Sequence, residues 1–133
     1  MKSFILVIVL INSLMTRDVT ITVVAKNVQI GKGFVVVEIW SDEKMFLKKP
    51  LMSKTLKAVN QTLEFTFELT EGRYAISVYQ DLNDNKKLDL GIFNIPKEPV
   101  GFGNNFRPKF SAPKFEDCTI FLFQSMKTEI ELK

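Results

Sequence analysis

Residues 62–69 alternate without a fault. Leu63, Phe65, Phe67 and Leu69 share one side, and Thr62, Glu64, Thr66 and Glu68 share the other. Successive side chains of a strand point to opposite faces, so this run predicts a strand with one apolar face that must be covered. No stretch of the chain carries the three-to-four-residue apolar period of a long amphipathic helix that could cover it. The partner expected is therefore a second sheet, and the fold class all-β.

The rest of the chain agrees. Residues 18–25 alternate Thr20 and Thr22 against Val19, Ile21 and Val23. Residues 33–40 hold Phe34-Val35-Val36-Val37, a run that predicts burial on both faces. Residues 41–57 break the pattern with Lys48-Lys49-Pro50, which suits an irregular crossover or one helical turn. Thr70-Glu71-Gly72-Arg73 reads as a tight turn, with Gly72 suited to positive φ. It would join residues 62–69 to residues 73–80 as an antiparallel hairpin. Residues 118–124 and 127–132, joined near Ser125-Met126, complete an antiparallel β-sandwich of about seven strands, immunoglobulin-like or prealbumin-like, with a long ordered loop at one end. The chain has 133 residues, 12 of them Phe, enough for one domain with its own core.

Residues 1–16 stand apart. Lys2 precedes an apolar run over residues 4–14 of about eleven residues, against the roughly twenty of a membrane-spanning helix. This is the pattern of a secretory signal peptide, leaving one domain at 17–133 with no membrane span, in the periplasm or outside the cell. A cut just ahead of Asp18 removes Lys2 and Arg17, taking 18 basic residues to 16 against 15 acidic ones. Neither that balance nor any basic run points to nucleic acid.

The chain has no His and a single Cys, Cys118. Imidazole general bases, Ser-His-Asp and Cys-His nucleophiles and His-ligated zinc are thereby excluded. Cys118 lies in a strand-like run and is expected in the core. A hydrolase would have to rest on carboxylates alone, as a glycosidase does, and the spacing of Asp81, Asp84, Asp89, Glu116 and Asp117 singles out no catalytic pair.

The richest stretch is 74–117. After the strand ending at Gln80 comes Asp81-Leu82-Asn83-Asp84-Asn85-Lys86-Lys87-Leu88-Asp89. Counted as a calcium loop from Asp81, the ligands at positions 1, 3, 5, 7 and 9 would be Asp81, Asn83, Asn85, the Lys87 carbonyl and Asp89. Position 12 is Ile92, so the bidentate carboxylate is lacking, and position 6 is Lys86, where the sharp turn prefers Gly. The other arrangement is a set of Asx turns, in which the same oxygens accept from nearby backbone N–H groups.

Residues 90–114 follow, with Phe93, Phe102, Phe106 and Phe110 interleaved with Lys97, Arg107, Lys109 and Lys114. A loop of this length in a compact domain is either a cap on the sandwich or a recognition surface. As a recognition surface it would use Asn104, Asn105 and Arg107 as donors beside Phe102 and Phe106. Trp40, at a strand end, is expected as a core or rim anchor.

Two motifs carry a resemblance. Residues 69–78, Leu-Thr-Glu-Gly-Arg-Tyr-Ala-Ile-Ser-Val, resemble a hairpin common in prealbumin-like and Cna-B-like extracellular sandwiches. Residues 74–89, 91–105 and 113–117 together are similar to an exported bacterial family, the domain of unknown function numbered 2141. The likeness extends from about Val19 to Leu132 and is sharpest over 74–117. It implies export and a small β-sandwich, and no established activity. Family members often carry Gly where this chain has Lys86.

The expectation from sequence is a non-enzymatic exported module that binds a sugar, peptide or protein of the cell envelope, with or without calcium in the 81–89 loop. The alternatives are a structural module of an envelope assembly without a small ligand, which would use open strand edges, and a carboxylate-based glycosidase.

Overall fold

Two stacked sheets meet through the apolar faces that the alternation demands. The computed structural model describes residues 16–133, so the expected leader lies, but for its last residue, outside the described residues. Eight strands form: β1 (Asp18–Lys26), β2 (Phe34–Trp40), β3 (Met52–Lys57), β4 (Leu63–Thr70), β5 (Gly72–Asp81), β6 (Val100–Phe102), β7 (Thr119–Leu122) and β8 (Met126–Glu131). One sheet has the order β4-β1-β8. The other runs β3-β2-β5-β6, with β7 also on β5. The β1–β8 pair is parallel and the other pairs are antiparallel, so the expected purely antiparallel sandwich holds except at the C-terminal strand.

Between the sheets lie Ile21 and Val23 of β1, Val35, Val37 and Ile39 of β2, Phe65 and Phe67 of β4, Ile76 of β5 and Ile130 of β8, all essentially without solvent contact. The alternation of 62–69 thus reappears as burial, with every second residue of β4 buried. The Val35-Val36-Val37 run is buried on both faces, as its composition predicts.

The expected hairpin between residues 62–69 and 73–80 does not form. β4 pairs with β1, and β5 pairs with β2 in the opposite sheet. Only Glu71 separates the two strands, one residue fewer than the shortest common hairpin loop. The chain instead arches across the core. The Tyr74 hydroxyl closes the arch by donating to the Thr70 carbonyl at 2.8 Å. Gly72 is not among the left-handed residues, so positive φ is not what places glycine there.

Two strands left little trace in the sequence. β3 lies within residues 41–57, where the single helical turn is Glu43–Met45. It is an edge strand with nearly every side chain exposed, so no apolar alternation marks it. β6 has three residues with glycine at its centre. A Cβ on that glycine, Gly101, would sit 2.6 Å from the Ile130 side chain, so the close approach of β6 and β8 explains the residue.

Candidate functional site

β5 has two different faces. Tyr74, Ile76 and Val78 point into the core, while Ala75, Ser77 and Tyr79 point away from it onto the outer face of the five-stranded sheet. Part of that outer face is covered. Residues 103–118 fold back over it, and Trp40, Ala75, Phe102, Phe115 and Cys118 form a second buried cluster with Phe46 and Phe106 against it. Phe46 stands edge-on to both Trp40 and Phe115, at 5.5 and 5.7 Å between ring centres. Trp40 is thus a core anchor, and its indole N–H donates to the Ser77 hydroxyl at 2.9 Å.

At the end of β5 the oxygen-rich turn folds on itself. Asp81 is buried, and its carboxylate accepts from the backbone N–H of Asn85 (3.2 Å) and Lys86 (2.9 Å). The Asn83 oxygen accepts from Asn85 N–H at 3.3 Å, and the Asn85 oxygen from Lys87 N–H at 3.2 Å. The amide nitrogens of Asn83 and Asn85 donate to the two Asp89 oxygens at 2.7 and 2.6 Å. These are Asx turns closed by a carboxylate. The two amides hold Asp89 below its ordinary carboxylate range, Asn85 more than Asn83, with smaller help from the Lys87 and Lys97 charges. Asp81, Asn83, Asn85, Lys87 and Asp89 are therefore brought together. Among the described residues, however, no three His, Cys, Asp or Glu side chains are grouped so as to hold a metal ion.

Two further residues organise this end. Glu98 is buried, and its carboxylate accepts from Leu82 N–H and Asp89 N–H, each at 3.0 Å. It ties the two ends of the turn together. Gln80, fully buried, accepts from Gln29 N–H at 2.9 Å and donates to the Gln29 and Lys32 carbonyls at 2.8 and 2.7 Å. It fixes the β1–β2 turn beside residue 81, where Gly33 approaches so closely that a Cβ would lie 1.9 Å from the Asp81 carbonyl oxygen. Neither residue was marked by spacing. The available signal for Glu98 was a lone acid between Pro96 and Pro99.

Lys86 makes the sharp turn in spite of its side chain, with φ of 68°. Its ammonium pairs with Asp84 and rests 4.9 Å from the centre of the Phe34 ring. Asp84, Lys86, Phe93, Asn94, Asn104 and Asn105 all have left-handed backbone without being glycine. Such residues are uncommon and strained, and here they gather in one segment.

Beyond the turn, Leu90, Ile92, Phe93 and Ile95 face solvent, with Phe93 91% exposed. Residues 102–107 behave differently. Phe102 is buried and Phe106 partly so. Asn104 donates to the Thr119 carbonyl at 2.8 Å. Asn105 donates to the Glu129 carbonyl and accepts from Glu131 N–H, at 3.2 and 2.9 Å. Arg107 donates to the carbonyls of Val100, at 3.1 Å, and of Glu131. A ligand drawing on these donors would displace bonds to the chain's own backbone. Of the four Phe expected in a cap, Phe102 and Phe106 pack inward while Phe93 and Phe110 stand in solvent.

Two clefts remain. One of about 430 Å³ lies between Ile30, Phe34, Lys57 and Val59. A smaller groove of about 170 Å³ runs over the uncovered part of the outer sheet face, lined by Phe34, Val36, Glu38, Ser53, Thr55, Tyr79, Asp81, Asp84 and Lys86. Burial raises the Glu38 carboxyl above its ordinary range, partly offset by the Ser77 hydroxyl. Burial, and then the charges of Glu38, Asp81 and Glu98, push Tyr79 up to about 12. Cys118 is buried as expected, and burial together with Asp117 pushes its thiol up to about 12, leaving it protonated at neutral pH. Among the described residues no helix is long and apolar enough to cross a membrane.

No curated protein and no solved structure matches the chain. A family model does, over residues 23–131, with the description "Uncharacterized protein conserved in bacteria". That span includes part of β1, all of β2 to β8, the oxygen-rich turn and the capping loop, and by it the chain belongs to the domain-of-unknown-function family DUF2141.

Proposed function

We propose that this protein is an exported, non-enzymatic binding module of the bacterial cell envelope whose working end is the turn at residues 81–99. The observation that carries the reading is Phe93. A large apolar side chain stands 91% exposed on a left-handed backbone, φ 56°, in a segment anchored by the buried carboxylates of Asp81 and Glu98. A left-handed residue other than glycine costs about 1–2 kcal/mol, and displaying phenylalanine to water gains nothing in folding. An ordered loop that presents apolar groups at such a cost is characteristic of recognition. The ligand class is an envelope sugar, peptide or protein.

Calcium is a second ligand for the same end. The left-handed Lys86 supports it, because position 6 of a calcium loop requires that sharp turn. Asp81, Asn83, Asn85, the Lys87 carbonyl and Asp89 would supply oxygens once the Asp89 carboxylate turns from the two amides to the ion. With two charged ligands the dissociation constant should fall at about 10⁻⁴–10⁻³ M.

An array of envelope glycans and peptides probed with wild type and Phe93→Ser tests the binding reading. Signal that Phe93→Ser abolishes supports it; equal signal from both, or none from wild type, points instead to a structural module acting through the open edge of β3. Calorimetry with calcium chloride after chelation tests the ion, which is dismissed by the absence of heat together with an unchanged melting temperature. Mass spectrometry of the secreted protein tests export, since an intact Met1 contradicts it.

A further inference from the structure

The groove on the outer face of the five-stranded sheet carries chemistry that the loop end does not use. Strand register sets its floor. Glu38 of β2 lies opposite Ser53 of β3 and Ser77 of β5, and the neighbouring row places Val36 between Thr55 and Tyr79. Cross-strand neighbours of this kind stand about 5 Å apart, so Glu38, Ser53, Thr55 and Tyr79 occupy adjacent points of one face. Phe34 and the Asp84–Lys86 pair close one end.

Three groups here have hydrogen-bonding capacity that their neighbours leave unused. Tyr79 is 8% exposed, yet among the described residues its hydroxyl makes no hydrogen bond; the accessible remnant of the side chain lines the groove. No buried side-chain N or O atom lacks a partner among the described residues, so this hydroxyl is open to the groove, where an incoming donor can reach it. Glu38 is half-buried, and no basic side chain pairs with it among the described residues. Its one internal hydrogen bond, from the Ser77 hydroxyl, is long at 3.4 Å. Thr55 adds a further hydroxyl without an internal bond among the described residues.

From this we infer that the groove is a binding site for a small organic ammonium ion. An ammonium has three N–H donors and no acceptor. The Glu38 carboxylate, the Tyr79 oxygen and the Thr55 or Ser53 hydroxyl offer three acceptors on one apolar-edged floor. The groove holds about five or six water volumes, the size of a short alkylamine head. Burial is the main cause of the raised Tyr79 hydroxyl, and the Glu38, Asp81 and Glu98 charges that add to it favour a cation over an anion. The chain already demonstrates the affinity at one end, where the Lys86 ammonium lies over the Phe34 ring beside Asp84. Lys86 is thus an internal competitor at the rim. This site is separate from the apolar arc of residues 90–95 and does not depend on export, but at one end it shares Asp81, Asp84 and Lys86 with the oxygen-rich turn.

Backbone amide NMR of the ¹⁵N-labelled protein, titrated with n-butylammonium chloride at constant ionic strength, tests the inference. The expected result is saturable shifts centred on Val36, Glu38, Thr55 and Tyr79, with n-butanol producing none there. Glu38→Gln should weaken binding about tenfold or more, as loss of a charged hydrogen-bond partner does. Lys86→Met should strengthen it several-fold by removing the competitor. Tyr79→Phe, which keeps the ring, provides a second weakening variant should Glu38→Gln fold poorly. Nα-acetyl-lysine methylamide in place of butylammonium distinguishes a protein-borne ammonium from a free amine by tighter binding. Equal shifts from butanol, or unchanged affinity in both Glu38→Gln and Tyr79→Phe, would overturn the assignment. Shifts confined to residues 83–89 would do the same, by pointing to an ionic effect on the turn.

Discussion

Residues 81–99 and residues 100–118 are consecutive, similar in length and rich in the same residue types, yet they are held by opposite means. In the first, polar groups are inside and apolar groups outside. Asp81 and Glu98 are buried on backbone N–H groups, while Ile92, Phe93 and Ile95 face water. In the second, Phe102 and Phe115 are buried on the sheet, and Asn104, Asn105 and Arg107 bind neighbouring carbonyls at the surface. Phe110 apart, which stands in solvent, the capping loop is an extension of the core and obeys the ordinary preference for buried rings. The turn reverses that preference and relies on hydrogen-bond geometry instead. Stability and display are thereby divided between two neighbouring segments.

The sharpest way to break this contrast is to remove a ring from the cap. Phe115 packs edge-on to Phe46 and carries the Arg73 guanidinium 5.2 Å from its ring centre. Phe115→Ala should destabilise the whole domain by about 3–5 kcal/mol, through lost burial and a residual cavity. Urea unfolding would read this as a lower midpoint at unchanged slope. A loss below about 1 kcal/mol would mean that residues 103–118 are not part of the core.

Next in size is the polar latch. Glu98→Ala leaves the Leu82 and Asp89 N–H groups without their acceptor, a loss of about 2–3 kcal/mol if water enters incompletely. The damage should be local. Hydrogen exchange at residues 82–90 should accelerate while exchange in β1, β2 and β5 stays slow. Uniform acceleration would show that the turn and the sandwich unfold together and that the contrast is false.

What could be foreseen from the sequence follows the same division. Strands β1, β4 and β5 were legible because a two-residue period records burial directly in residue type, as in Leu63, Phe65, Phe67 and Leu69, and β2 because its Phe34-Val35-Val36-Val37 run records burial on both faces. Their pairing was not, because a period of two is the same whether the chain returns within a sheet or crosses to the other one; only the single-residue link at Glu71 decides it. β3 was hidden because an edge strand needs no apolar face, and β6 because Gly101 is chosen for closeness to Ile130. In the turn, the grouping of Asp81, Asn83, Asn85 and Asp89 was visible from spacing. Glu98 was not, because it enters from across the loop, 16 residues from the Leu82 N–H it accepts. The destinations of the Asn104, Asn105 and Arg107 donors depend on where β7 and β8 run, which local sequence does not encode.

A smaller effect sharpens the polar half. The Asp89 carboxyl lies below its ordinary value because it accepts from Asn85 and Asn83. A lowered folded pKa contributes stability that is present above the unfolded value, about 4, and is lost as pH falls through the lowered one. The turn should therefore loosen only in acid, below the ordinary carboxylate range. ¹³C carboxyl titration should place Asp89 below a free aspartate, and Asn85→Ala should return it toward the ordinary value more fully than Asn83→Ala. No change in either variant would remove the amide clamp as the cause.

The smallest effect on stability is expected at Phe93, and there the comparison is most demanding. The side chain is 91% exposed, so Phe93→Ala removes almost no burial and should change stability by less than about 0.5 kcal/mol. Phe93→Gly relieves a left-handed backbone worth about 1–2 kcal/mol, against about 0.5–1 kcal/mol of added chain entropy, and should be neutral or slightly stabilising. A residue whose replacement by glycine helps folding is not retained for folding. If chemical denaturation instead finds Phe93→Gly clearly less stable than wild type, the ring has a packing role, and the turn becomes a second cap built like its neighbour.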